Sequence, residues 1–428
     1  MTQGDAATDP SMTDHMRDGQ MVTADGTPLK ASLKRAERRR KIIALLFVAP
    51  LLVFLMISFI IPIGQMMFRS VDNPQIISTL PRTLEAMEAW DGRGLPDEPV
   101  YAALAADLTI AQENRTVGQL AVRLNYEISA ARGALTRTAR QVGNMEAPYK
   151  EQFLDAHRLW NNPEIFQIIK REGRPLTASY YVSALDRTYD ADGNIVMQNE
   201  NRRIYVDLYI RTLLMSLGIT FLTLLLGFPI SFLMSSLPMR YANLLMIFVL
   251  LPFWTSLLVR TTAWIVLLQQ QGVINELLVW AGFISSDNRL GMIHNMTGTI
   301  IAMTHILLPF MVLPLYSVMK TIPPSYVRAA RSLGANPWVA FWRVYVPQTL
   351  PGIGAGAVLV FIISIGYYIT PALVGGQSGQ MISNLIAYHM QTSLNWGLAA
   401  ALGTILLVGV LVLYWVYNKL VGADIKLG

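Results

Sequence analysis

From Ile42 to Ile61 the chain carries no charged side chain, and that run constrains the fold more than any other feature. About 20 apolar helical residues cross the hydrocarbon core of a bilayer, so the run is long enough to span. Lys34, Arg35, Arg38, Arg39, Arg40 and Lys41 stand directly before it. Positive charge flanking a first span holds that end in the cytoplasm, which predicts an N-terminus inside. Further apolar runs follow at Leu213 to Leu237, bounded by Arg211 and Arg240, at Leu244 to Leu268, Met292 to Met319, about Leu350 to Leu373, and Leu398 to Tyr417. The expected fold class is an all-α membrane protein with six transmembrane helices and both termini cytoplasmic.

Composition agrees. A chain of 428 residues with 53% hydrophobic and 14% charged residues and a mean hydropathy of +0.39 is too apolar for an ordinary soluble protein. The net charge of +6 does not point to nucleic acid, because the basic residues are not clustered with aromatic ones in a polar domain. Topology accounts for them better. Arg240, then Lys320, Arg328, Arg331 and Arg343, then Lys419 and Lys426 fall on the side expected to be cytoplasmic, whereas 269–291 has only Arg289 and 374–397 has no Lys or Arg. A lipid or nucleic-acid role for the 34–41 run is the alternative to this reading. With no cysteine, neither a disulfide framework nor a thiolate metal site exists.

In order, residues 1–41 form a basic cytoplasmic tail, polar and without periodicity up to residue 33. Residues 42–68 are the first transmembrane helix. No apolar stretch precedes residue 42, so a cleavable signal is not expected. Residues 69–204 are polar and read as a helical insertion on the periplasmic side, with helix-like stretches at 100–113, 117–136 and 149–166. Its arginines are compatible with that side, since long loops translocate largely regardless of charge. The run Asp190 to Asn194 has a flavour of a calcium loop, but its twelfth position is Asn201 and Gly193 comes too early, so it reads as a plain turn. Residues 205–420 hold five transmembrane helices, and 421–428 form a short cytoplasmic tail.

Between the fourth and fifth spans lies PPSYVRAARSLGANPWVAFWRVYVP, Pro323 to Pro347. Ser325 is placed to cap a helix from Tyr326 to Leu333, and Gly334 to turn left-handed after it. Asn336 suits a second cap and Pro337 the first helical position, while Pro347 is expected to stop the run at Val346. The predicted shape is a compact cytoplasmic helix-turn-helix. Small Ala329 and Ala330 beside Val327 and Leu333 let another surface approach closely and meet an apolar ridge. The bland alternative is a plain loop between spans.

This stretch resembles the EAA loop of binding-protein-dependent ABC importer permeases. Ala329, Ala330, Gly334, Val344 and Pro347 fall on the pattern, and Arg328 stands where the family usually has glutamate. Residues 250–272, LLPFWTSLLVRTTAWIVLLQQQG, with 308–316, LPFMVLPLY, and 369–376, ITPALVGG, look like the spermidine/putrescine-type branch. The resemblance covers most of 205–420. It implies an inner-membrane permease subunit working with two ATPase subunits, a second permease subunit that makes a heterodimer, and a periplasmic solute-binding protein. It also implies that Arg328, Ala329, Ala330, Leu333, Gly334 and Pro347 couple to the ATPase.

Several polar residues inside the apolar runs are candidates for a translocation path. Arg260 costs roughly 2.5–3.5 kcal/mol at mid-membrane on insertion scales, so it faces a partner or a path, or snorkels to the headgroups. His305 is a path residue or a hydrogen-bonded packing residue. Tyr367, Tyr368 and Thr370 line a path or pack the bundle. Gly352, Gly354 and Gly356 follow no strand and read as close helix packing. No Asp or Glu occurs from Tyr326 to Gly422, so the letters support the transporter branch better than they support a polyamine, and other small organic solutes stay open. No G-x-x-x-x-G-K-[ST] occurs, which assigns ATP hydrolysis to a partner. No cofactor, metal site or catalytic arrangement is called for, and the chain is not expected to be an enzyme. An ATP-independent secondary transporter or channel is the rival reading, although the intramembrane carboxylates usual in ion-driven carriers are not evident.

Overall fold

A computed structural model describes residues 16–17, 20–21, 29–190 and 192–424 of the chain, with side chains placed between 34 and 419. Most of the expected N-terminal tail, Ala191 and Lys426 lie outside the described residues. Two compact units divide at Met66 and Met67.

The first unit holds most of α1, the continuous helix Lys34–Arg69. Its apolar residues, such as Phe47 and Leu46, are exposed. In a bilayer such side chains meet acyl chains, and the backbone satisfies its polar groups within the helix.

The second unit begins with a small helical domain. Backbone bonds from Asn73 N to Pro175 O (2.9 Å) and from Thr177 N to Val71 O (2.8 Å) bring its two ends together. Between them run α2 (Glu98–Glu113), α3 (Val117–Glu127), α4 (Ala131–Gln141), α5 (Tyr149–Ala156) and α6 (Pro163–Glu172). The expected helix at 117–136 is two helices, because Ala130 turns left-handed at φ 76°. That at 149–166 is likewise broken. Asn162 precedes a proline, which disfavours helical backbone there, and its side chain instead caps α6 through the Glu164 amide at 3.0 Å. Tyr101, Phe153, Trp160 and Phe166 fill the core, with edge-to-face contacts at 5.7, 5.3 and 5.4 Å, a geometry aromatic quadrupoles favour.

One ion network locks this domain. Arg123 on α3 donates to Asn73 Oδ1 (2.8 Å), Glu127 Oε1 (2.9 Å) and Glu172 Oε2 (2.7 Å). Glu172 also accepts from Thr177 Oγ1 at 2.7 Å, so both ends of the domain hang on one buried guanidinium–carboxylate pair. Burial alone pushes Glu172 up, but the Arg123 charge and the hydrogen bonds from Ser179, Arg171 and Thr177 outweigh it and hold the carboxyl below the ordinary glutamate range. A carboxyl depressed in the folded state stabilises it fully above its unfolded value and loses that contribution as pH falls through the folded one. Protease resistance of the domain is therefore expected to hold at neutral pH and to fall as the buffer is taken below the ordinary glutamate range. Resistance unchanged by acid contradicts the role assigned to Glu172.

Beyond the domain, α7 (Ser179–Ala184) packs on the last span, and β1 (Arg187–Tyr189) pairs antiparallel with β2 (Ile195–Met197). Asp190 and Asn194 stand between the two strands, and Asp190 Oδ1 accepts from the Asn194 amide at 2.8 Å. Asp186 then holds the start of α8 (Tyr205–Ser236), accepting from the amides of Ile204 (3.0 Å), Tyr205 (3.1 Å) and Val206 (2.8 Å). A carboxylate suits the positive end of a helix dipole.

The membrane core packs α8, α11 (Met296–Thr321) and the helix α13 (Pro337–Gly366) around Ile219, Met303, Leu307, Met311 and Val360. Between lipid-solvated helices, close packing and buried hydroxyls replace the hydrophobic drive. Ser364 Oγ donates to Ser216 Oγ at 3.2 Å, and Ser231 Oγ to the Val312 carbonyl at 3.3 Å. The glycines expected to pack closely do so. A Cβ on Gly352 would lie 3.0 Å from Val318, and one on Gly356 2.7 Å from the Met311 sulfur. The last span is α16 (Trp396–Asp424).

Five helices are long and apolar enough to cross a membrane among the described residues, and six if one bent pair counts as a span. That pair corrects the expected third span. Leu244 to Leu268 is not one helix but α9 (Met239–Trp254) and α10 (Leu257–Leu268), with a 99° bend between α9 and the segment that begins with α10. The fifth span also ends earlier than expected. It stops at Gly366, and Ile369–Val374 is a separate helix, α14.

Candidate functional site

The elbow is built on three local rules and departs from the sequence reading on three points. Gly334 has φ 90°, the left-handed turn expected of it. Asn336 Oδ1 accepts from the Val339 amide at 2.8 Å and Pro337 opens the next helix, as expected. The first helix, α12 (Pro324–Ser332), starts two residues before Tyr326, however. Pro323 takes the cap position and Ser325 makes no capping bond, because two consecutive prolines already fix the backbone for a helix start. Pro347 does not stop the second helix. A wide turn over Phe341–Tyr345 precedes it, and Gln348 Nε2 donates to the Val344 carbonyl at 2.7 Å. In that turn the Val346 amide reaches back to the Phe341 carbonyl, shifting the backbone register just ahead of the proline, and the second arm runs directly into the fifth span. Val327 faces inward, partly buried against the membrane core rather than forming an outer ridge.

What the elbow presents outward is aromatic and basic. Leu333 is 89% exposed and Trp338 71%, with Tyr326 and Trp342 about half exposed. Arg328, Ala329 and Arg331 are also exposed, while Ala330 is half-buried. Inward, Phe341 lies 5.5 Å from Phe232 and 6.2 Å from Phe228 on α8, and Tyr345 lies 5.2 Å from Phe232. Phe341 and Tyr345 stack at 5.7 Å. Ring contacts thus join the second arm of the elbow to α8. Sequence reasoning included Leu333 but missed Trp338, Trp342, Phe341 and Tyr345. Their i, i+4 spacing carried the signal, since 338 and 342 share one face and 341 and 345 another.

Two interrupted helices bring together a second candidate site. At the α9–α10 break, Arg260 donates to the Thr255 carbonyl at 3.0 Å and to Thr255 Oγ1 at 3.4 Å. A cation thereby meets carbonyls freed where α9 ends, a favourable placement for the helix dipole. At the α13–α14 break, the Tyr367 carbonyl accepts from Ser383 Oγ (2.9 Å), and the Tyr368 carbonyl accepts both from the Ala372 amide (3.0 Å) and from Asn384 Nδ2 (2.7 Å), the two side chains coming from α15 (Ile382–Gln391). Non-helical backbone at membrane depth survives only where protein or water satisfies it, and these side chains do so. The two breaks are joined by Thr370 Oγ1 against Thr261 Oγ1 at 3.4 Å. His305 is held by Trp264 on α10, whose Nε1 donates to Nδ1 at 3.2 Å. Arg260, His305 and Thr370 are each therefore tied to α9 or α10, with Tyr367 and Tyr368 at the adjoining break. Thr261 and Trp264 escaped the sequence reading because their roles depend on that bend.

Removing the guanidinium leaves the Thr255 carbonyl without its donor. Arg260→Met is expected to destabilise the purified chain by about 1 kcal/mol, the net contribution of an ordinary hydrogen bond, since this contact is solvent-accessible. The readout is thermal unfolding in detergent, and an unchanged transition excludes the capping role.

Comparison with known proteins adds the following. Residues 209–422 match the family model described as "Binding-protein-dependent transport system inner membrane component". Over 227 residues the chain is 36% identical to the spermidine/putrescine transport system permease protein PotB of Haemophilus influenzae, covering 52% of this chain and 79% of that protein. PotB of Escherichia coli is 33% identical over 227 residues, covering 52% and 82%. Among solved structures, a chain of a bacterial alginate ABC transporter in complex with its alginate pentasaccharide-bound periplasmic protein is 20% identical, with a TM-score of 0.40, and the match covers 50% of this chain and 78% of that one.

Proposed function

Because the chain belongs to the family of binding-protein-dependent transport system inner membrane components, we propose that it moves a small organic solute delivered by a solute-binding protein, using ATP hydrolysed on separate subunits. The chain is a transmembrane subunit of an ABC importer. The observation that carries the coupling part of the reading is the elbow, with Leu333 and Trp338 exposed and with Phe341 and Tyr345 packed behind them on α8. An exposed apolar ridge backed by rigid packing suits a docking surface.

In this reading the elbow and both termini are cytoplasmic, the 69–204 insertion is periplasmic, and two ATPase subunits grip this chain and a second permease subunit. ATP-driven closure moves the elbow as a rigid body and switches the interrupted helices between outward- and inward-facing arrangements. Arg260, His305, Tyr367, Tyr368 and Thr370 flank the solute's route. The PotB relatives favour a polyamine-like solute. Without any Asp or Glu from Tyr326 to Gly422, selection in that segment falls to aromatic rings and carbonyls, and the binding protein carries the rest of it.

The test is reconstitution in proteoliposomes with the ATPase, second permease and binding protein co-expressed. Uptake of radiolabelled putrescine or spermidine that requires ATP and the binding protein supports the reading. Uptake by this chain alone, driven by an ion gradient, overturns it in favour of a secondary transporter.

A further inference from the structure

The insertion reaches the last turn of α15 by two routes. Tyr126 of α3 donates from its hydroxyl to the Ser393 carbonyl at 3.2 Å, and the Ser393 hydroxyl lies 2.8 Å from Nδ1 of His389. On the other side of the ring, Nε2 of His389 lies 3.0 Å from the Tyr205 hydroxyl. Tyr205 opens α8, where Asp186 of the insertion accepts from the Tyr205 amide at 3.1 Å. An imidazole with a hydroxyl at each nitrogen is satisfied in either neutral tautomer, donating from one nitrogen and accepting at the other. The turn after Ser393 is held as well. Leu394 keeps φ 55°, which a leucine does only where its surroundings fix the backbone.

The first turn of the same helix serves the break between α13 and α14. Ser383 and Asn384 hold the Tyr367 and Tyr368 carbonyls, and Asn384 Oδ1 accepts from the Met381 amide at 3.0 Å. Thr212 Oγ1 of α8 accepts from the Ile382 amide at 2.8 Å. Between these ties α15 is one continuous helix of 10 residues, about 15 Å long, so its two ends move together.

We propose that α15 is a strut by which the insertion sets the geometry of the Tyr367–Tyr368 break, and that His389 is its positioning residue. The role rests on the importer reading above, in which that break flanks the solute's route. Contiguous bonds and stiff elements carry coupling between distant groups, and here they run from Tyr126 and Asp186 through His389 and α15 to the two carbonyls. The alternative is a local one, in which His389 only staples α15 to the turn that follows it.

Amide hydrogen exchange of the purified full-length chain in nanodiscs tests the strut without an ATPase or a binding protein. His389→Ala is expected to speed exchange across 369–385 about fivefold, the factor one ordinary hydrogen bond supplies in an opening equilibrium. Exchange in α2 to α4 is expected to stay unchanged, which shows that the insertion is folded. His389→Asn, whose amide stands where Nδ1 does and reaches Ser393, is expected to fall between alanine and wild type. A change confined to 386–396 overturns the proposal, as does asparagine behaving like alanine. Uptake by the reconstituted transporter adds the functional arm. Tyr126→Phe removes the insertion's donor and is expected to lower the maximal rate about fivefold. The KM for the loaded binding protein is expected to hold, because the strut acts on the break and not on docking. In the His389→Ala background the same change is expected to add nothing, since the route is already cut. Additive losses, or a KM that rises while the maximal rate holds, overturn the proposal. A wild-type chain without ATP-dependent uptake overturns the importer reading instead and leaves the strut to be judged by exchange alone.

Discussion

Gly334→Val is expected to cut binding-protein-dependent uptake by about tenfold or more while the chain still accumulates in the membrane. Gly334 holds φ 90°, a region in which a β-branched residue costs of order 1–3 kcal/mol, and 1.4 kcal/mol is a factor of ten in an equilibrium. The cost is conformational rather than steric, since a Cβ at this position meets nothing within 4 Å. Strain is relieved by untwisting the turn, which swings α12 and the exposed Leu333 away from Trp338. Gly334→Asn provides the control. Asparagine tolerates left-handed backbone far better than valine, so this variant is expected to keep most of the uptake. If valine and asparagine behave alike, the turn does not set the elbow's geometry.

The second large effect is on stability. Arg123→Met is expected to destabilise the insertion by about 3–5 kcal/mol, the usual cost of stripping one partner from a buried ion pair. Arg123 and Glu172 are almost fully buried, with side-chain exposures of 3% and 1% and a contact of 2.7 Å. Glu172 then remains buried with Arg171 as its cationic partner, at 2.9 Å. The double change Arg123→Met with Glu172→Gln is expected to cost less than the sum of the two single changes, because each single change already removes the contact the two side chains share. Protease protection and thermal unfolding of the full chain measure both. Additive losses would show that the two side chains do not act as a pair.

How much of this was legible in the letters follows from which forces act locally. The apolar runs announced their helices because a bilayer admits little else, and the fourth span ends where expected to within four residues, whereas the helices of the second and fifth spans begin 8 and 13 residues ahead of their apolar runs. The turn at Gly334 and the cap at Asn336 were readable because each is fixed within four residues of chain. Ser325 misled because two prolines ahead of it had already started the helix, and Pro347 because a wide turn shifts the backbone register just ahead of it. The bend after Trp254 was hidden. Thr255 and Ser256 interrupt an otherwise apolar run only briefly, and Arg260 looked like a stray intramembrane charge until its bonds to Thr255 gave it a place. The ion network was invisible for a different reason. Arg123 and Glu172 are 49 residues apart, and no local pattern links them. The exposed Trp338 was passed over because a tryptophan beside an apolar span reads first as membrane-facing.

The proposed contact between the elbow and an ATPase subunit is open to one direct measurement. The chain has no native cysteine, so Leu333→Cys supplies a unique thiol at the most exposed point of the elbow. A short photoactivatable, thiol-specific cross-linker is attached to it in membranes that express the whole transporter. The expected result is a single major adduct with the ATPase subunit, diminished in the Gly334→Val background and altered in yield by ATP. Labelling of the solute-binding protein from the opposite side, or no adduct in membranes that still show ATP-dependent uptake, contradicts the placement of the elbow and the coupling built on it.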